Sequence, residues 1–411
     1  MAGSRKGKID MTTGHIMKNI ILFAIPIIIG NVLQQLYTTV DALVIGKYCG
    51  DTSLAAVGTS SQPVEVLLCV FLGIGTGVSI LISQYAGAKE SDKVVSICGT
   101  SITFMKVPQD VWNAALIYTR LVFLGTLGNL GYNMNAGILR GLGDSKASLW
   151  FLVVSCISNI VLDLVFVAGF GMDVAGAALA TSIAMFISWL VSIVYIRKMF
   201  PEIHFTFLPR RFSGKMMKDI LAIGLPVGLN NSLYSLGHVA LQTFNNSQGA
   251  IFMAGGAVAG RITGCSNIAI TGLSSAATTF SGQNYGAKKY DRIKEGHWII
   301  PLCSGVITLS FGLFFIMIHR PLIRFFSSDE MVLMYASRHI VVMLLSQWFY
   351  AIFNCIISIV NGTGKVRYTT VVNILMLWAV RIPSAYIISK YFDGTWVMLC
   401  FPISFSFGMF A

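Results

Sequence analysis

The sequence predicts an all-α polytopic membrane protein: twelve transmembrane segments in two parallel six-helix repeats, the third and twelfth incomplete. Three observations carry that prediction. Of the 411 residues, 55% are hydrophobic and only 11% charged, and the mean hydropathy is +0.73, too apolar for a chain that must keep a hydrated surface. The apolar runs reach roughly 20 residues, enough for a helix to cross about 30 Å of hydrocarbon, and they lack the alternation of barrel strands. The chain also nearly repeats itself. Phe23-Ala24-Ile25-Pro26 returns as Ile223-Gly224-Leu225-Pro226 at an offset of 200, and Gln84, Gly87, Ala88 and Lys89 return as Gln283, Gly286, Ala287 and Lys288 at 199.

The predicted spans of the first half are 16–40, 54–86, 94–105, 112–139, 148–170 and 174–197. The first is full length and lacks a small-x-small cleavage site, so it reads as a retained span rather than a signal peptide. The second ends in the turn Gln84-Tyr85-Ala86-Gly87-Ala88-Lys89. The third is defective, with only Val94 to Met105 before Lys106; some 12 residues cover about 18 Å, which is too short to cross. The repeat explains the shortfall. Gly141-Leu142-Gly143 answers Gly362-Thr363-Gly364 at an offset of 221, so 22 residues are missing relative to the second half, whose matching stretch runs from His297 to Ser328. Val111 to Ala115 already lie over Val332 to Ala336, which places the gap inside the third span. The fourth span leads to Leu139-Arg140-Gly141-Leu142-Gly143-Asp144, the fifth holds Asn159 and Asp163, and the sixth runs on to Arg197.

A polar, basic stretch with Pro201, Pro209 and Arg210-Arg211 then divides the chain. The expected organisation is a six-helix bundle over 1–197, a cytoplasmic linker over 198–215 and a second bundle over 216–411. The second-half spans read as 217–244, 251–282, 297–318, 331–360, 369–389 and 395–411. The last is clipped, because Ala411 matches Leu190 while the first-half helix continues to Arg197. An even number of spans per half restores the chain to its starting side, so the halves share one orientation about an axis along the membrane normal.

The net charge of +12 sits at helix ends rather than on one soluble face, which argues against a nucleic-acid partner. Basic residues mark every second connection: Arg5 to Lys18, Lys89 and Lys93, Arg140 and Lys146, Arg197 to Lys218, Lys288 to Lys294, and Lys365 with Arg367. By the positive-inside rule these loops and the N-terminus are cytoplasmic. The eight cysteines are scattered through apolar runs without a CxxC pair and read as small packing residues.

After Pro26 come Asn31, Gln34, Gln35, Thr38 and Asp41 at helical spacing, a polar stripe that must face protein or water. The seventh span repeats it with Asn231, Tyr234, Ser235, His238 and Gln242 after Pro226. Two symmetry-related wet faces would line a central cleft; single amides serving only to join helices are the plainer reading. Asp41 and Asp163 are carboxylates well inside spans. A carboxyl held in low dielectric takes up a proton or a small cation rather than remain a bare anion, and Asn159, one turn before Asp163, can hydrogen-bond it. In the second half Leu241 and Ser384 replace the two acids, and Arg381 appears instead. Coupling chemistry is therefore expected in the first half. No phosphate-loop pattern surrounds the glycine turns and no nucleophile–base set stands out, so an enzyme is not expected.

The helix-1 run Pro26…Asn31-x-x-Gln34-x-x-Tyr37-x-x-x-Asp41, the Gln-x-x-Gly-Ala-Lys and Leu-Arg-Gly-Leu-Gly-Asp loops, and Asn159-x-x-x-Asp163 together resemble the multidrug and toxic compound extrusion (MATE) family. The resemblance covers the chain apart from the gap. It implies a multi-pass antiporter of the bacterial cytoplasmic membrane, acting as a monomer without cofactors, whose bundles rock about a central cleft. Organic cations or amphipathic drugs leave in exchange for protons or sodium ions. It further implies a coupling-cation network at Asp41, Asn159, Asp163 and Thr181, with Na+ held at Asp41 and Asp163 if sodium is the ion. Members of a second type carry acids at positions matching Tyr234 and Tyr350 here, so this chain looks like the first type. Substrate contacts are expected at Gln34, Tyr37, Asn31, Asn231, Tyr234 and His238.

Three rivals remain. A lipid-linked oligosaccharide flippase shares the architecture but calls for basic cleft residues. A receptor or scaffold would not need the repeat. A transport-inactive homologue follows if the shortened third span fails to cross and leaves polar ends or Lys106 in lipid.

Overall fold

The computed structural model describes residues 9–49, 80–81, 84–85, 88, 93, 118–201, 213–246, 248–326, 329–392 and 394–410. Most of the second predicted span, the whole of the third except Val94's neighbour Lys93 before it, and the inferred gap lie outside the described residues. The described chain is helical throughout. It runs α1 (Ile16–Cys49), α2 (Tyr118–Gly141), α3 (Ser145–Asp163), α4 (Asp173–Met199), α5 (Gly214–Asn246), α6 (Ala250–Gly286), α7 (Tyr290–Phe326), α8 (Glu330–Gly362), α9 (Val366–Ile374), α10 (Ile382–Tyr391) and α11 (Cys400–Phe410). A π-helical stretch, Leu164–Gly169, extends α3, and a second, Leu375–Arg381, joins α9 to α10 as one span. Among the described residues, six segments are long and apolar enough to cross a bilayer: Ile16–Leu36, Ser145–Gly169, Leu179–Met199, Tyr290–Arg324, Glu330–Gly362 and Val366–Tyr391. Helices α5 and α6 are comparably long, at 33 and 37 residues, but glycines and polar side chains dilute their apolar character.

The ends of these helices are set by local chemistry. Asp144 caps α3 by accepting from the Ala147 amide at 3.0 Å, and its other oxygen accepts from the Tyr195 hydroxyl of α4 at 2.9 Å. Asp329 caps α8 by accepting from the Met331 and Val332 amides at 2.7 and 3.3 Å. The α2–α3 and α8–α9 turns each use a glycine at positive φ, Gly143 at +90° and Gly364 at +87°, at corresponding places in the repeat.

Helices of each half pack mainly on one another: α1 and α4 on α3, α2 on α4, and α6, α7 and α11 on α8. In the first half Ile138, Leu139, Phe151, Leu152, Met185 and Ile196 form a buried core, on which Met216 and Ile220 of α5 dock. A second core joins the halves. Met11, Ile20, Phe23 and Ile27 at the start of α1 meet Leu273, Ala276 and Phe280 of α6 and Ile359 of α8. Gly272 permits this approach, since a Cβ there would overlap Ile28. Among the described residues the halves thus meet where the N-terminal segment and the start of α1 lie against α6 and α8.

Candidate functional site

Among the described residues, two of the buried polar groupings bear on function, one in each half. The first is built on α3. Asn159, 2% exposed, donates from Nδ2 to Thr181 Oγ1 of α4 at 3.2 Å. Asp163, one turn further, is 0% exposed and is the last residue before the π-helical stretch. Because the Asn159 amide nitrogen is committed to Thr181, its Oδ1 points elsewhere, and that oxygen is buried with no hydrogen-bond donor among the described residues. An acceptor-only oxygen of this kind suits a cation or a hydroxyl.

The backbone places Asp41 at the same level. Helices α1 and α3 start from one end, tied there by the Ile9 amide donating to the Gly143 carbonyl at 3.0 Å. They pack at mid-height, where Cys156 Sγ donates weakly to the Leu33 carbonyl at 3.7 Å. Asp163 stands seven residues past Cys156 and Asp41 eight past Leu33, so both backbones rise roughly 10–12 Å beyond that contact. The Asp41 side chain, like those of Tyr37 and His238, lies outside the described residues.

The second centre is built around Arg381, which is 0% exposed at the end of the second π-helical stretch. Its Nη1 donates to the Tyr234 hydroxyl at 2.9 Å and its Nε to Ser404 Oγ at 2.8 Å. The guanidinium carbon lies 5.6, 4.9 and 5.0 Å from the ring centroids of Tyr234, Phe401 and Phe405. Tyr350 stacks obliquely on Phe405 at 4.8 Å. Among the described residues no carboxylate reaches Arg381, so aromatic faces and hydroxyls stabilise its charge. Sequence reading noticed Arg381 only as a substitution. Its signal was a lone cation in an otherwise uncharged apolar run.

Asn31 of α1 donates to Thr271 Oγ1 of α6 at 3.1 Å, a polar contact across the halves. Gln34 is exposed and Asn231 half-buried. Among the described residues no three His, Cys, Asp or Glu side chains come together as a metal cluster. The arrangement thus offers an acceptor centre in the first half and a cationic centre in the second.

A family profile described as MatE matches residues 26–107, 99–165 and 226–387. The chain is similar to the probable multidrug resistance protein YoeA of Bacillus subtilis, at 29% identity over 93% of this chain and 90% of that one. It is similar to the probable multidrug resistance protein NorM of Thermotoga maritima at 25% identity, covering 95% and 90% of the two chains. Among solved structures it superposes with a TM-score of 0.83 and 24% identity on one described as the outward-facing conformation of a multidrug resistance MATE family transporter of the MOP superfamily, covering 100% of this chain and 96% of that one. That likeness establishes the fold.

Proposed function

The chain belongs to the MATE family, and from that membership we propose that it exports organic cations or amphipathic drugs by antiport against protons or sodium ions. The proposed division is a first bundle over 1–197, a linker over 198–215 and a second bundle over 216–411. The membrane is the bacterial cytoplasmic membrane, with the joined, N-terminal end on the cytoplasmic side. Asp41 and Asp163 hold the coupling ion, Asn159 and Thr181 orient it, and Asn31, Gln34, Tyr37, Asn231, Tyr234 and His238 face the exported compound.

The observation that supports this reading is the buried Asn159 oxygen without a donor among the described residues, one turn from the fully buried Asp163. A proton or sodium ion arriving there satisfies the oxygen and neutralises the carboxylate together. Whichever packing of α1 on α3 holds the ion better is then favoured, which gives the ion a differential affinity for the two states of the molecule. The drug, bound between the halves, favours the other state.

Dye efflux from vesicles under an imposed pH or sodium gradient tests this. Asp41→Asn and Asp163→Asn should each lower gradient-driven efflux about tenfold or more, the loss of at least 1.4 kcal/mol of differential ion binding. Undiminished gradient-driven efflux in both would remove the carboxylates from the mechanism. The flippase reading stays second. It gains support from Arg261, exposed on α6, and from the buried Arg381, both suited to an anionic headgroup.

A further inference from the structure

Two repeated motifs take no part in the ion or drug sites: the Gln-x-x-Gly-Ala-Lys turns and the Gly-x-Gly turns. They meet crosswise. Gln84 Nε2, in the first half, donates to the Gly362 carbonyl of the second at 2.7 Å. Gln283 Nε2, in the second half, donates to the Gly141 carbonyl of the first at 3.0 Å. Gln84 corresponds to Gln283 and Gly141 to Gly362 in the repeat, so the two hydrogen bonds are copies of each other, each running from one half to the other.

The surroundings are built for this contact. Gly141 and Gly362 are the last residues of α2 and α8, where helix carbonyls have no partner of their own and need a donor from outside. The next glycines, at positive φ, bring each turn onto the incoming amide. A Cβ at Gly364 would sit 3.3 Å from Gln84 Nε2, and one at Gly143 would sit 3.6 Å from Gln283 Nε2. At Gly286 a Cβ would overlap the Gln84 carbonyl, so the two halves touch backbone to backbone. The N-terminal segment lies over one of the pair: the Met11 amide donates to Gln283 Oε1 at 3.0 Å, and Asn284 Nδ2 and Lys289 Nζ donate to the Met11 and Thr12 carbonyls at 3.0 and 2.8 Å.

We propose that Gln84 and Gln283 form a two-fold latch that holds the N-terminal end of the molecule shut, and that they are positioning residues setting the balance between its closed and open states. The inference rests on the transporter reading only for why such a balance matters. The neighbouring apolar core supplies adhesion without direction, whereas an amide on a helix-end carbonyl fixes the register in which the halves close. When the halves separate, water takes the place of each amide. That exchange is nearly balanced, so the latch can break in every cycle.

The test reads distance, not transport. Lys146 and Arg367, exposed at corresponding places at the starts of α3 and α9, take spin labels in a background without native cysteines, and pulsed electron paramagnetic resonance measures their separation. Gln84→Leu or Gln283→Leu should each raise the ratio of long to short distances about fivefold, and the pair further than either alone, though not necessarily by the product, since the two sites are neighbours. Gln84→Glu with Gln283→Glu, which keeps size and loses the N–H donors at neutral pH, should do likewise and stands in if the leucine pair folds poorly. A distance distribution superposing on that of the unaltered protein, in the leucine or the glutamate pair, would overturn the latch while leaving antiport untouched. Shifted distances in a chain that exports nothing would retire the transport reading and keep the latch.

Discussion

At the scale of single residues, the first-half centre depends on one hydroxyl. Thr181 Oγ1 accepts from Asn159 Nδ2 and so decides which way the Asn159 amide faces. Thr181→Val keeps the shape, strands a buried N–H, and should cost about 1–3 kcal/mol of stability, read as a lower thermal midpoint in detergent. It should also weaken protection by the coupling ion, because the amide is free to turn its nitrogen toward Asp163. An unchanged midpoint with unchanged ion protection would show that Thr181 does not orient Asn159. Asn159 and Asp163 were legible in the sequence because an amide and an acid one turn apart are conspicuous in an apolar run. Thr181 was not: a threonine in a membrane helix says nothing by itself, and only the family resemblance singled it out. The second-half centre was least legible of all. Arg381 could be seen, but Tyr234 stands 147 positions away in sequence, and nothing local couples that residue to a guanidinium.

At the scale of elements, apolar runs located the spans well and their ends less well, because helices continue past the bilayer. The ninth predicted span, 297–318, is the middle of α7, which runs Tyr290–Phe326 and carries Asp291, Lys294 and Glu295 on its first turns. The fourth, 112–139, ends two residues short of Gly141, and its start lies outside the described residues. The two π-helical stretches left no mark in composition, since hydropathy is blind to whether a carbonyl bonds four or five residues on. Caps were readable in kind but not in reach. Asp144 looks like an N-cap to α3, yet its second oxygen also ties α3 to α4 through Tyr195. The two functions separate by mutation. Asp144→Ala loses cap and tie and should cost about 1.5–3 kcal/mol, whereas Tyr195→Phe keeps its edge contact with Phe151 at 5.3 Å and should cost about 1 kcal/mol. Equal losses of thermal stability in the two variants would mean that the cap itself contributes nothing.

At the scale of the whole molecule, the repeat made the two-fold plan visible before any coordinates, because corresponding turns keep their glycines and glutamines where the helices between them diverge. Those turns lie where the halves meet: a Cβ at Gly286 would be driven into the Gln84 carbonyl of the other half. The same plan makes the break between the offsets of 199 and 221 consequential. As read from the sequence, a third span of some 12 residues would reach about 18 Å, and it would then either stop short, leaving backbone groups in hydrocarbon at several kcal/mol each, or draw Lys106 inward. If it fails to cross, every later basic loop faces the wrong side, against the charge rule that otherwise orders them. Supplying the missing 22 residues should therefore raise both the yield in the membrane fraction and the efflux per molecule relative to the chain as it stands. Equal yield and equal efflux from the two would show that the shortened segment already crosses, with the bilayer thinning or the helix ends adjusting around it.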